Sequence, residues 1–157
     1  MEEKNLLDLI NQQSNQLEPV LSCNEFTKKF GLVLSKEDAE ILVQDRKDTL
    51  REQQRVEFGE GILKKLIFTF CDSPYIYQEN YVDSIGQLQE IFYLYKNESL
   101  DELSDDELLD YMKESFEGEC QGSLEYLEDT ALERFAKEIR RNTHGFFGKY
   151  EEENDED

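Results

Sequence analysis

The side chains in this chain that could do chemistry are three cysteines (Cys23, Cys71 and Cys120), one histidine (His144) and 38 carboxylates. A structural zinc site needs four Cys or His ligands at close spacing, and the cysteines are scattered, with no CxxC. Di-iron bundles need Glu-x-x-His pairs, but the residue three before His144 is Arg141. No calcium loop, phosphate-binding glycine loop or nucleophile elbow is present. Gly59-Glu60-Gly61 is too short and too acidic to cradle a phosphate. A Cys-His or Ser-His nucleophile would have to recruit His144, which reads more simply as an exposed residue in a C-terminal turn. Carboxylate pairs for acid–base work meet in space and leave no mark in spacing, so no pair is named. The sequence thus assigns no catalytic residue, no metal ligand and no cofactor, and the balance leans away from an enzyme.

Charge carries more information. The net charge is −21, and the last seven residues, Glu151 to Asp157, hold six carboxylates. Without them 32 acids still face 17 bases, a body charge of −15. Direct nucleic-acid binding and anionic membranes both require clustered Lys and Arg, so both are excluded as expectations, and basic partners are favoured. Aromatic content of 11% separates the chain from disordered acidic segments. No apolar run reaches the ~20 residues that span a bilayer, and Met1-Glu2-Glu3-Lys4 lacks the start of a signal peptide. An odd set of distant cysteines reads as free thiols in a reducing compartment, so the expected location is the cytoplasm.

The elements that must position these groups are helical, and no internal repeat is evident. Leu6, Leu7, Leu9 and Ile10 give a first helix over about 3–15, which Pro19 interrupts. Phe26 and Phe30 lie four apart in a short helix over about 23–30, stopped by Gly31. Ser35-Lys36-Glu37-Asp38 resembles a capping box, with Leu34 and Ala39 as its staple. It opens a helix from 36 to about 57, with Ala39, Leu42, Val43, Leu50 and Val56 apolar. Ile62, Leu63, Leu66, Ile67 and Phe70 repeat at helical spacing. Phe68 and Cys71 fill the other side, which predicts near-complete burial, and a strand over 66–71 is the alternative. Tyr81, Ile85, Leu88, Phe92 and Tyr95 form a seam over 79–97, with Gly86 as a weak point. Ser104 to Glu107 is a full capping box between Leu103 and Leu108, opening a helix that buries Leu108, Leu109, Met112 and Phe116. A last helix over about 123–142 turns Leu124, Leu127, Ala131, Leu132, Phe135 and Ile139 inward, with Arg140 and Arg141 suiting its C-terminal dipole.

Four features offer a surface. Residues 98–119 hold ten carboxylates and one base, Lys113; Asp105, Asp106, Glu107 and Asp110 are the speculative partner-binding set there, although the first three also stabilise a helix N-terminus. Tyr93 lies off the aromatic seam and is expected to be exposed, as interface anchors are; its neighbours Tyr75, Tyr77, Tyr81, Phe92 and Tyr95 read as core. Arg46, Lys47, Arg51 and Arg55 form the local basic cluster, interleaved with Asp45, Asp48 and Glu52, and read chiefly as pairing along an exposed helix. Phe146-Phe147 precedes the terminal acid run.

Three strings, Pro19 to Phe26 (PVLSCNEF), Phe58-Gly59-Glu60-Gly61 and Cys71-Asp72-Ser73-Pro74-Tyr75, resemble an uncharacterised family of clostridial-type bacterial proteins, known only as a domain of unknown function. The likeness covers about 15–142. It implies a cytoplasmic bacterial protein and carries no activity, ligand or site residue.

The expectation is therefore an all-α, single-domain bundle of about six or seven helices over 1–145, with a disordered acidic tail over 146–157. Its expected function is non-catalytic binding of another protein, of basic character, through an acidic, aromatic-bearing surface, in an adaptor or regulatory role. Two alternatives stand beside it: a small-ligand binder or enzyme with a carboxylate and tyrosine pocket, and an acidic DNA mimic that blocks a DNA-binding protein. A homodimer is compatible with each.

Overall fold

The computed structural model describes residues 17–57, 61–100 and 102–152, with side chains to residue 141. The fold is all-α, and among the described residues there is no strand. Residues 17–22 are helical. Then follow α1 (Asn24–Thr27), a 3-10 turn (Lys28–Phe30), α2 (Lys36–Glu52), α3 (Leu63–Phe70), a second 3-10 turn (Gln78–Asn80), α4 (Tyr81–Glu98), α5 (Asp105–Glu117), α6 (Leu124–Glu128) and α7 (Thr130–Glu152). The 66–71 ambiguity is resolved as helix. Two compact units are distinguished, one ending at Glu90 and the other beginning at Ile91.

In the first unit the core is Leu32, Leu34, Ala39, Leu42, Val43, Leu63, Leu66, Ile67, Phe70, Tyr81, Ile85 and Leu88. Ser35 starts α2 as the sequence predicts: its hydroxyl accepts from Asp38 N at 3.0 Å, and Asp38 Oδ2 accepts from Ser35 N at 3.2 Å. Gly31, at φ +83°, ends the 3-10 turn in the left-handed region that glycine tolerates. Beyond it, two side-chain amides grip the extended run. Asn24 donates to Leu34 O at 2.9 Å and accepts from Leu34 N at 2.8 Å. Gln78 accepts from Val33 N at 2.9 Å and donates to Val33 O at 3.0 Å. Thr27 serves Leu32 in the same way, its hydroxyl donating to Leu32 O at 2.8 Å while its carbonyl accepts from Leu32 N at 3.2 Å.

Several expectations need correction. Pro19 lies inside helical residues 17–22, a stretch to which the sequence assigns no helix. Proline lacks an N–H but keeps its carbonyl, and Pro19 O accepts from the Ser22 hydroxyl at 2.7 Å. Helix α2 ends at Glu52 rather than near 57: Gln54 turns left-handed at φ +56°, and Arg55 N folds back to Leu50 O at 2.8 Å. Val56 is therefore 80% exposed, off the helix and outside the core. Helix α3 is not buried all round, since Phe68 is 41% exposed. The first helix expected over 3–15 lies outside the described residues.

In the second unit, Ile91, Phe92, Tyr93, Tyr95, Leu108, Leu109, Met112, Phe116, Leu127, Ala131 and Phe135 are buried. Tyr95, Tyr111 and Phe135 form a ring cluster, with centroids 5.0 Å apart for Tyr95 and Phe135 and 4.9 Å for Tyr111 and Phe135. The Tyr95 hydroxyl donates to Leu127 O at 2.8 Å. The single helix expected over 123–142 is two helices. Ser123 caps α6 by accepting from Tyr126 N at 3.1 Å, and Asp129 lies between α6 and α7 at φ −111°, ψ −87°. Leu124 and Leu132 are half-buried in consequence. The expected tail falls on residues whose side chains, and from 153 onward whose backbone, lie outside the described residues; the same holds for the His144 side chain.

Candidate functional site

The carboxylates singled out at the start of α5 are largely committed to structure. The Ser104 hydroxyl accepts from Glu107 N at 3.1 Å, and Glu107 Oε1 accepts from Ser104 N at 2.9 Å, completing the capping box. Asp105 pairs with Lys96 at 3.1 Å. Asp106 and Asp110 are exposed on the first turns of the helix. Tyr93 is the clear correction in this set: it is fully buried, edge-on to Phe92 at 5.1 Å between ring centroids. Four of the five residues from Ile91 to Tyr95 are buried, so α4 is enclosed on more than one face there, and a position off a single seam still points inward.

A stronger acid site lies in the first unit, where sequence reading assigned none. Asp45, Asp48 and Glu52 on α2 and Asp83 and Glu90 on α4 line an open groove of about 360 Å³, with Thr49, Gly86 and Gln87. The α2 carboxylates recur at spacings of three and four, and so do positions 83, 86, 87 and 90 on α4, which puts each set on one helix face. Gly86 makes the close approach possible, because a Cβ there would stand 2.6 Å from Asp45 Oδ2. Burial, followed by repulsion from Asp48 and Asp83, raises the proton affinity of Asp45 above the ordinary carboxylate value. Arg51 answers part of this charge, holding Asp48 at 2.7 Å. The spacing is visible in sequence, where it reads as a basic cluster with interleaved acids; that the acids face α4 depends on tertiary packing.

The basic cluster does not stay together. Lys47 and Arg51 remain on α2, while Arg55 lies beyond its end. Arg46 turns inward and is only 6% exposed. Its Nη2 donates to Glu57 O at 3.4 Å, its Nε has no hydrogen-bond partner among the described residues, and the Gly61 backbone lies close to the guanidinium.

Cys23, Cys71 and Cys120 are buried and unbridged. Burial raises the Cys120 thiol above its usual value, which disfavours the reactive thiolate. No group of three or more Cys, His, Asp or Glu among the described residues is arranged to hold a metal ion. No described helix is long and apolar enough to cross a membrane.

Residues 19–145 match the model of a family of unknown function (DUF6323). The chain belongs to this family. The resemblance read from Pro19–Phe26, Phe58–Gly61 and Cys71–Tyr75 falls within the matched residues. No curated protein and no solved structure matches the DUF6323 chain. Membership therefore adds a boundary, residues 19–145, without adding an activity, and the functional reading rests on the groove.

Proposed function

We propose that this chain is a non-catalytic binding protein, of adaptor or regulatory kind, that engages a basic partner protein through acidic surfaces. The observation that carries it is the α2–α4 groove, where five carboxylates line one open cleft and Asp45 is held above its ordinary proton affinity by burial and by its own neighbours. A Lys or Arg side chain entering the cleft would relieve that repulsion, so the unbound groove is poised for a cation. Asp106 and Asp110, exposed on α5, are a second acid surface for the same class of partner. Three cysteines with no disulfide between them support a cytoplasmic setting.

The test is binding of a lysine- and arginine-rich peptide to the full chain at low and moderate salt. Affinity should fall as salt rises, because exposed charges are screened over ~8 Å at physiological ionic strength. Asp45→Asn with Glu52→Gln should weaken binding about tenfold, the effect of losing roughly 1.4 kcal/mol. Reversing Asp106 and Asp110 measures the second surface separately. Binding that ignores both sets of substitutions would refute the proposal.

A further inference from the structure

We infer that Phe26, Phe30 and Phe68 form a second docking surface, which receives an acidic peptide segment carrying an apolar anchor. The three rings come from α1, the 3-10 turn after it and α3. Phe26 meets Phe30 edge-on at 5.7 Å and Phe68 edge-on at 5.4 Å. Packed rings of this kind are ordinarily core, yet these are 40%, 41% and 41% exposed. Contiguous exposed aromatics on a soluble chain mark interaction sites.

Charge identifies the occupant. Residues 26–36 and 61–71 are two stretches of eleven without a single Asp or Glu, in a chain that has 38 acids. The contact between Phe26 and Phe68 brings them together. They carry Lys28, Lys29, Lys36, Lys64 and Lys65. Lys29 Nζ stands 4.2 Å from the Phe26 centroid and 5.5 Å from that of Phe30, so a cation is seated on the aromatic surface itself. Lys28 is exposed beside it, paired with Glu25 at 3.5 Å. A ligand with an apolar side chain on the rings and carboxylates against the lysines matches both halves of the patch.

Two other occupants fit less well. An anionic bilayer is flat and broad, and it would bring the rest of a chain of net charge −21 against the lipid charge. A second copy in a symmetric contact would set Lys28 and Lys29 against their own equivalents. A peptide touches the patch alone.

The experiment is selection of a random dodecapeptide library on the full chain, followed by fluorescence anisotropy with the recovered peptides. The expected peptides combine Asp or Glu with an aromatic or large aliphatic residue. Phe68→Ser should weaken them tenfold or more. Lys28→Glu with Lys29→Glu should do the same and flatten the salt dependence. These two positions are exposed, so the charge variant reads the proposal even if Phe68→Ser fails to fold. Asp45→Asn, in the acid groove, should leave this binding unchanged, which separates failure here from failure of the proposed function. Recovered peptides without acidic residues, or binding indifferent to both variants, would overturn it. So would phosphatidylserine vesicles bound through the same residues without peptide, or a dimer on size exclusion with light scattering that Phe68→Ser dissolves.

Discussion

Asp45 and Gly86 are matched across the groove: the carboxylate oxygen lies 2.6 Å from where a β-carbon at Gly86 would be. The pair explains an otherwise unfavourable glycine inside a long helix. Gly86→Ala removes a helix penalty of about 1 kcal/mol, but it forces the carboxylate outward. The displaced atom is the end of a side chain at an open groove, so it has somewhere to go. Urea unfolding should show a gain of up to about 1 kcal/mol for the alanine variant, and carboxyl NMR should show Asp45 titrating closer to an ordinary aspartate. A net loss of stability would show that Asp45 is fixed in place.

Asp45 also sets a pH dependence. Its folded-state proton affinity is raised above the unfolded value, by burial first and then by Asp48 and Asp83. For a carboxylate shifted upward, the stability associated with the protonated form is present at low pH and is lost as pH rises through the folded pKa. Asp45→Asn should therefore be more stable than the wild type at neutral pH, and the advantage should vanish below the ordinary aspartate pKa of about 4. Thermal melts across pH 3 to pH 8 (roughly the range that brackets carboxylate titration) check the sign. Higher stability together with weaker binding of the basic peptide would mark Asp45 as a residue kept for recognition.

Tyr95→Phe isolates one buried hydrogen bond. The ring stays in its cluster with Tyr111 and Phe135, and only the 2.8 Å bond to Leu127 O is lost. Leaving a buried partner short of a donor costs about 1–3 kcal/mol. Denaturant unfolding should register that loss with an unchanged slope.

Arg46 and Gly61 test a buried charge. Among the described residues the guanidinium has one long hydrogen bond, to Glu57 O at 3.4 Å, and its Nε has no partner. Replacing a poorly paired buried ion by an apolar side chain of similar length is often neutral or stabilising, so Arg46→Met should not lower the melting temperature. Gly61→Ala should lower it. Gly61 has φ +63°, and the added carbon would stand 2.5 Å from Arg46 Nε. The double variant should recover part of the loss, because the methionine can yield where the flat guanidinium cannot.

The helices were readable because their signals are local. Ser35 with Asp38 and Ser104 with Glu107 each place a cap within four residues, and both form as the spacing predicts. What is not readable either lacks a local signal or depends on partners distant in the chain. Helix α2 stops at Glu52 because Arg55 N returns to Leu50 O and Gln54 turns left-handed, and nothing in the charged sequence there announces it. Tyr93 reads as exposed because one seam already accounts for α4, yet that stretch is packed on more than one face. The acid groove needed Asp83 and Glu90 brought opposite Asp45, 38 or more residues away, while the acid run at 98–119 was conspicuous in composition and turned out to be partly spent on a cap and an ion pair.

The side-chain grip on residues 32–34 has a consequence for how the chain behaves in company. An extended run of Leu-Val-Leu is the kind of segment that templates strand addition and aggregation when its backbone is open. Here the N–H and C=O of all three residues are taken, by Thr27, Gln78 and Asn24 in turn. No ladder position is left for an incoming strand, although Val33 itself is exposed. Two polar residues just before the run and one far beyond it in sequence thus act as gatekeepers, closing a β-prone edge in a helical fold.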